Sequence, residues 1–190
     1  MAFKEIFVSY GKYHNNIINK LIHIVFIPTI VFCVYGIGHF YPIANIDFMG
    51  IKELDIGLVM LVLLPPVYIF MDIFSGLLTT LCLIFMYFCS LSMFEQHKFD
   101  KDFYQSLSYF QFLLALKTFS WIMQFLGHGI FEGRAPALMN NAFSALVAPT
   151  FVVIEILYMF GYNKEKINEC QVIIDKDIAE YRETKKAKTS

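Results

Sequence analysis

Charge is what this sequence has least of. Only 16% of its residues are Asp, Glu, Lys or Arg, against roughly a quarter in ordinary soluble domains. The 15 basic and 16 acidic residues nearly cancel, so there is no basic field to hold nucleic acid. Cysteine is also scarce. The four, at 33, 82, 89 and 170, have no ligand-like spacing, and three fall in apolar runs. They read as small core residues, not as a disulfide framework. Met1, Ala2, Phe3, Lys4 and Glu5 lack the short apolar core of a cleavable signal peptide, so the first membrane span is expected to serve as the targeting signal. There is no internal repeat and no low-complexity run.

What is present is hydrophobic. Apolar types make up 57% of the 190 residues, with 21 Phe and 11 Tyr. This composition predicts an integral membrane protein of the all-α class: a polytopic helix bundle with four to five transmembrane helices and short interfacial helices. Residues 1–162 form the predicted membrane domain, and 163–190 a charged amphipathic tail.

Phe3, Ile6, Phe7 and Tyr10 recur at helical spacing within residues 2–13, which suits a short helix lying on the interface. Asn16 is a reasonable N-cap for the helix after it. Leu21 to Ile46 contains no charged residue and exceeds the ~20 residues that span a bilayer core. Pro28 is expected to kink it. His39 lies near its far end, where a lone histidine reads as interfacial. Residues 47–55 read as a polar loop. Ile56–Met71 is apolar but only 16 residues long, with Pro65 and Pro66 inside, so it reads as a short, broken span. Asp72 and Gly76 suggest a tight turn before the uncharged run Ile73–Phe94. A charged loop with His97 follows. Tyr109 to Gly127 is the next span, with Lys117 in its middle, and Ala142 to Tyr162 the last. Glu155 is the only acid deep in any predicted span. An intramembrane carboxylate marks either a functional site or a structural partner, here for Lys117.

Thirteen of the last 28 residues are charged. Ile167, Cys170, Ile174, Ile178 and Tyr181 nevertheless repeat near a helical period, which predicts an amphipathic helix suited to docking. The end from Lys185 is expected to be disordered.

Five spans place the termini on opposite sides and sort the histidines. Lys and Arg are more frequent on the His97 and C-terminal side, which makes that side cytoplasmic by expectation. His14, His23 and His128 fall on one side, His39 and His97 on the other. His14 and His23, nine residues apart, can meet only if the chain breaks near Asn15 and Asn16.

The densest cluster of polar chemistry is Gln124 to Leu138. If the segment is helical up to Ala135, where Pro136 would end it, then Gln124, His128 and Glu132 share one stripe. Trp121 lies on the same face. Gly127 and Gly129 flank the histidine. A His and a Glu four apart can share one metal ion, or the histidine can be a buried one bonded to a carboxylate. Three histidines and Glu132 on one membrane face suit Fe(II) or Zn equally well.

Tyr13, His14, Asn16, Asn19, His23, Ile27 and Pro28 resemble the first signature of a family of small membrane proteins, the fungal-type 2-hydroxy fatty acid dioxygenases. Trp121, Gln124, Phe125, Gly127 to Gly129, Phe131, Glu132, Arg134 and Pro136 to Leu138 resemble its second. Ala148, Pro149, Phe151 and Glu155 resemble a third. The resemblance runs from about residue 5 to 162. It implies an endoplasmic-reticulum enzyme that uses Fe(II) and O₂ to shorten a long-chain 2-hydroxy fatty acid by one carbon, in the α-oxidation step of phytosphingosine breakdown. It implies His14, His23 and His128 as iron ligands. His97, also similar to a family position, ranks lower on topology.

Glu132 is then expected as a catalytic group, fourth ligand or orienting acceptor. Arg134 is the nearest cation for a substrate carboxylate. Membrane lipid is an expected partner, and nucleic acid is not. The rival class is a non-catalytic integral membrane subunit that keeps the fold and a metal or lipid site, with a membrane-protein partner docked on the tail. Histidine separations of 9, 16, 58 and 31 residues exclude the closely spaced histidine boxes of di-iron lipid hydroxylases.

Overall fold

The computed structural model describes residues 3–48, 51–139 and 142–189. Seven α-helices follow one another: α1 Phe3–Gly11, α2 Ile17–Gly38, α3 Ile56–Met71, α4 Ile73–His97, α5 Tyr109–Leu126, α6 Phe143–Met159 and α7 Lys164–Thr189. A π-helical segment, Gly127–Glu132, extends α5, and a 3₁₀ turn covers Ala137–Met139. Asn140 and Asn141, in the polar connection expected there, lie outside the described residues.

Among the described residues two helices, α2 and α4, are long and apolar enough to cross a membrane. A third span is reached only if α6 and α7, bent by 114° at their break, are counted together. At 1.5 Å per residue α2 is about 33 Å long. Side chains such as Leu21, Val25, Leu63, Phe70, Leu81 and Phe85 are exposed on the outer faces of α2, α3 and α4. So wide an apolar surface marks contact with lipid.

The helices run up and down between two ends. Asp55 caps α3 and bonds His39 just past the end of α2, so α3 starts where α2 finishes. Asp72 then starts α4 by accepting the Ser75 N–H. Gly76 lets the two helices approach: a Cβ there would strike the Tyr68 backbone. Phe94 and Tyr109 share one cluster with Cys33 and Leu113, which returns α5 from the far end.

Several expectations are corrected. Of the loop expected at 47–55, residues 49 and 50 lie outside the described residues, and the rest belongs to two paired strands, β1, Pro42–Phe48, and β2, Ile51–Asp55, so the fold is not wholly α. Their pairing slips in register twice. The α3 helix runs unbroken through Pro65 and Pro66. Packing against α4 outweighs the two backbone bonds that proline removes. His39 is not a lone interfacial residue: it is buried, and its Nδ1 meets Asp55 Oδ2 at 2.6 Å. Lys117 is not the partner of Glu155. That partner is Lys20, whose Nζ lies 2.9 Å from both carboxylate oxygens.

The tail is helical through Thr189, not disordered from Lys185; Ser190 lies outside the described residues. Its stripe of Ile167, Cys170, Ile174 and Ile178 is buried with Phe7 and Tyr10 of α1 and Val147 and Phe151 of α6. The predicted amphipathic face is therefore used inside the protein. The Lys4–Glu169 ion pair ties α1 to α7, and Lys12, just past the end of α1, pairs with Asp177. This contact places the two terminal helices on the same end of the bundle, whereas five alternating spans would separate them. An apolar stripe on α7 must be buried somewhere, and α1 supplies the surface.

Candidate metal centre

The chain breaks between Gly11 and Ile17, and that break lets His14 turn back toward His23. Asn16 caps α2 by accepting the Ile18 N–H at 2.9 Å. His23 sits seven residues, about two turns, further on. His128 arrives from the π-helical segment, a wide turn of a kind found often at functional sites. It ends at Gly133 in the left-handed region, φ 61°, before the Ala135 boundary that Pro136 suggested. Gly127 is needed for close approach, because a Cβ there would lie 2.5 Å from Asn19 Oδ1.

The three histidines meet. All are buried, and their ligand atoms lie within 4.8 Å of one another. The ring centres are 4.5 to 4.9 Å apart, with each pair near perpendicular. His14 Nδ1 is 2.9 Å from the Tyr10 carbonyl and His23 Nδ1 is 2.8 Å from the Asn19 carbonyl. A carbonyl only accepts, so each Nδ1 carries the proton and each Nε2 is a bare lone pair. The two Nε2 atoms face each other at 3.1 Å. Two bare acceptors at that distance repel unless a cation sits between them.

A shared proton is a poor cation here. Burial, then His23 and His128, push the His14 pKa well below its ordinary value. Burial and His23 push that of His128 down to about 4. Neutral imidazoles with converging lone pairs are the form that binds a metal. Metal–nitrogen bonds of about 2.0–2.1 Å set at a right angle leave their nitrogens about 3 Å apart. His128 adds a buried Nδ1 with no hydrogen-bond partner among the described residues. The donor set therefore fits a metal ion. His39 and His97 are elsewhere, bonded to Asp55 and Asp100.

Glu132 lies outside this group of three. Its Oε1 accepts the Asn15 and Asn16 N–H groups, both at 2.8 Å, and Asn19 Nδ2 at 3.0 Å. It fastens the His14–His23 segment to the element that carries His128. Arg134 is clamped between Tyr13 and Tyr181, its guanidinium carbon 4.3 Å from each ring centre. Its Nη1 donates to the Lys12 carbonyl and to Asp177, both at 3.2 Å. It thus joins α7 to the histidine-bearing loop.

The histidines line a cavity of about 210 Å³ whose walls include Ile27, Ile30, Trp121 and Phe143. Phe125 and Phe143 on its lining are also exposed on the outer surface. Neither Glu132 nor Arg134 lines it. Sequence reasoning missed Tyr10, whose ring is stacked between His14 at 3.8 Å and Phe151 at 4.0 Å. The four-residue step from Tyr10 to His14 was the available signal.

Residues 1–160 match the family model for "Mpo1-like: 2-hydroxy-palmitic acid dioxygenase Mpo1-like". The chain belongs to the Mpo1-like family. It is a dioxygenase-like oxidoreductase by that membership. One relative is the 2-hydroxy-palmitic acid dioxygenase MPO1 of Saccharomyces cerevisiae, 34% identical over 154 residues, which cover 80% of this chain and 78% of the relative. No solved structure gives a significant match. The family match takes in the whole histidine cluster and stops before α7.

Proposed function

We propose that this protein is an Fe(II)-dependent dioxygenase that shortens a long-chain 2-hydroxy fatty acid by one carbon. The supporting observation is the facing pair of His14 and His23 Nε2 atoms, with His128 as third member, on the wall of a largely apolar cavity. In this reading the three histidines hold the ion. Iron bound there would supply the redox and Lewis-acid chemistry that the reaction of O₂ with a 2-hydroxy acid needs.

The conversion balances without an outside reductant. R–CH(OH)–COOH and O₂ give R–COOH, CO₂ and H₂O. The C1–C2 bond breaks, and four electrons pass from the substrate to O₂.

The chain's own side chains bind and orient. Ile27, Ile30 and Phe143 take the start of the acyl chain. Burying a chain is worth ~0.8 kcal/mol per CH₂ from water but far less from a bilayer, so contacts at the head group carry the selectivity. Glu132 is a positioning residue that sets the His14–His23 segment, and Arg134 secures α7 to it.

Four crossings, by α2 to α5, complete the reading, because α1 and α7 sit together at the histidine end. The α6 helix follows the histidine segment, and Tyr162 just beyond it bonds Asp72 at that same end. Resemblance alone supplies the setting, the endoplasmic reticulum and phytosphingosine breakdown.

The test is purified protein reconstituted with Fe(II), O₂ and 2-hydroxyhexadecanoate. Oxygen uptake should match formation of the C15 acid. An iron-loaded protein that consumes no oxygen with any 2-hydroxy acid would overturn the proposal.

A further inference from the structure

Gln124 stands four residues before His128, near the end of α5, and lines the same cavity as the three histidines. It is 5% exposed. Its Nε2 is buried and has no hydrogen-bond partner among the described residues. Buried amides are nearly always satisfied, since an unmade hydrogen bond forfeits solvation without replacement. An unsatisfied amide on the wall of a ligand cavity is a donor kept for the ligand.

The rest of the lining sharpens this. No Lys or Arg is present among the described residues that line the cavity, and its one carboxylate is Glu5. Arg134, six residues after His128, is held by Tyr13, Tyr181, Asp177 and the Lys12 carbonyl. An anionic head group entering here meets the histidine centre and neutral donors. Gln124 is the buried neutral donor whose N–H is unused.

We propose that Gln124 is the specificity-determining residue for the head group, its Nε2–H donating to a carboxylate oxygen of the 2-hydroxy acid. This rests on the functional reading above. The amide holds the carboxyl group at the histidine centre while the acyl chain lies toward Phe125 and Phe143. It discriminates a 2-hydroxy acid from a neutral lipid of equal length.

Binding without turnover tests this. Anaerobic, metal-loaded protein in nanodiscs is titrated calorimetrically with 2-hydroxyhexadecanoate and with hexadecane-1,2-diol, which keeps the hydroxyl but lacks the carboxylate. Wild type should prefer the acid. Gln124→Leu should weaken acid binding about tenfold, the scale of one hydrogen bond to a charged group, and leave diol binding unchanged. Metal stoichiometry should stay the same. The ligand-free melting temperature should hold or rise, because an unsatisfied buried amide has been removed; a structural glutamine would lower it. Gln124→Met gives the same comparison should the leucine variant fold poorly. Wild-type selectivity that both variants retain overturns the role of Gln124 and leaves the functional reading intact. A wild type that binds acid and diol equally overturns both.

Discussion

Glu132 and Asn19, 113 residues apart in sequence, meet at 3.0 Å, and the same carboxylate oxygen takes two backbone N–H groups of the loop before α2. Three donors on one oxygen lock the loop that presents His14. Removing the acceptor strands partly buried N–H groups at about 1–3 kcal/mol each. Glu132→Ala is expected to lower the melting temperature and to weaken metal binding about 10- to 100-fold, the usual loss for an orienting partner. Glu132→Gln keeps an acceptor and should lose less. Metal titration and thermal melts of both variants check the order.

The histidines separate by role. His14→Ala, His23→Ala and His128→Ala should each sharply lower metal content measured by mass spectrometry. His39→Ala should keep the metal and lose stability, because it leaves Asp55 buried without its 2.6 Å partner. Full metal content in His128→Ala would remove that residue from the site.

Acid should loosen the docking of α7 first at Asp177. Burial alone would raise its pKa, but hydrogen bonds and charge from Lys12 and Arg134 outweigh this and hold it below the ordinary carboxylate value. A depressed pKa in the folded state means stabilisation is present above the unfolded value of about 3.9 and is lost as pH falls through the folded value. Hydrogen exchange along α7 should rise in that window. Asp177→Asn should show fast exchange already at neutral pH, without the acid step.

Arg134→Lys keeps a charge but loses the planar group stacked between Tyr13 and Tyr181. Limited proteolysis should cut α7 more readily in this variant than in wild type. Unchanged proteolysis alongside weaker binding of 2-hydroxyhexadecanoate would move Arg134 from clamp to substrate contact.

The proposed four crossings would place Ser106, in the loop between α4 and α5, across the membrane from Val172 on α7. Both residues are exposed. Cysteines introduced at the two positions should label from opposite sides of sealed vesicles. Labelling from one side would require an odd number of crossings between them to be replaced by an even one.

The sequence by itself determined what lies within single helices. Uncharged runs marked the apolar helices, Asn16 declared a cap, and the spacing of Ile167, Cys170, Ile174 and Ile178 announced a buried face on α7. It also sorted His14, His23 and His128 from His39 and His97, because an alternating chain puts successive helix ends on opposite sides. Only the tertiary structure decided which faces meet. Lys20 displaced Lys117 as the partner of Glu155, Arg134 turned to α7, Glu132 turned to the Asn15–Asn19 segment, and Pro42–Phe48 paired with Ile51–Asp55. The reason is physical: helical periodicity fixes the direction of a side chain about its own axis, while its partner depends on the rotation and depth of a different helix. Those are set by the packing of the whole bundle, which no local spacing records.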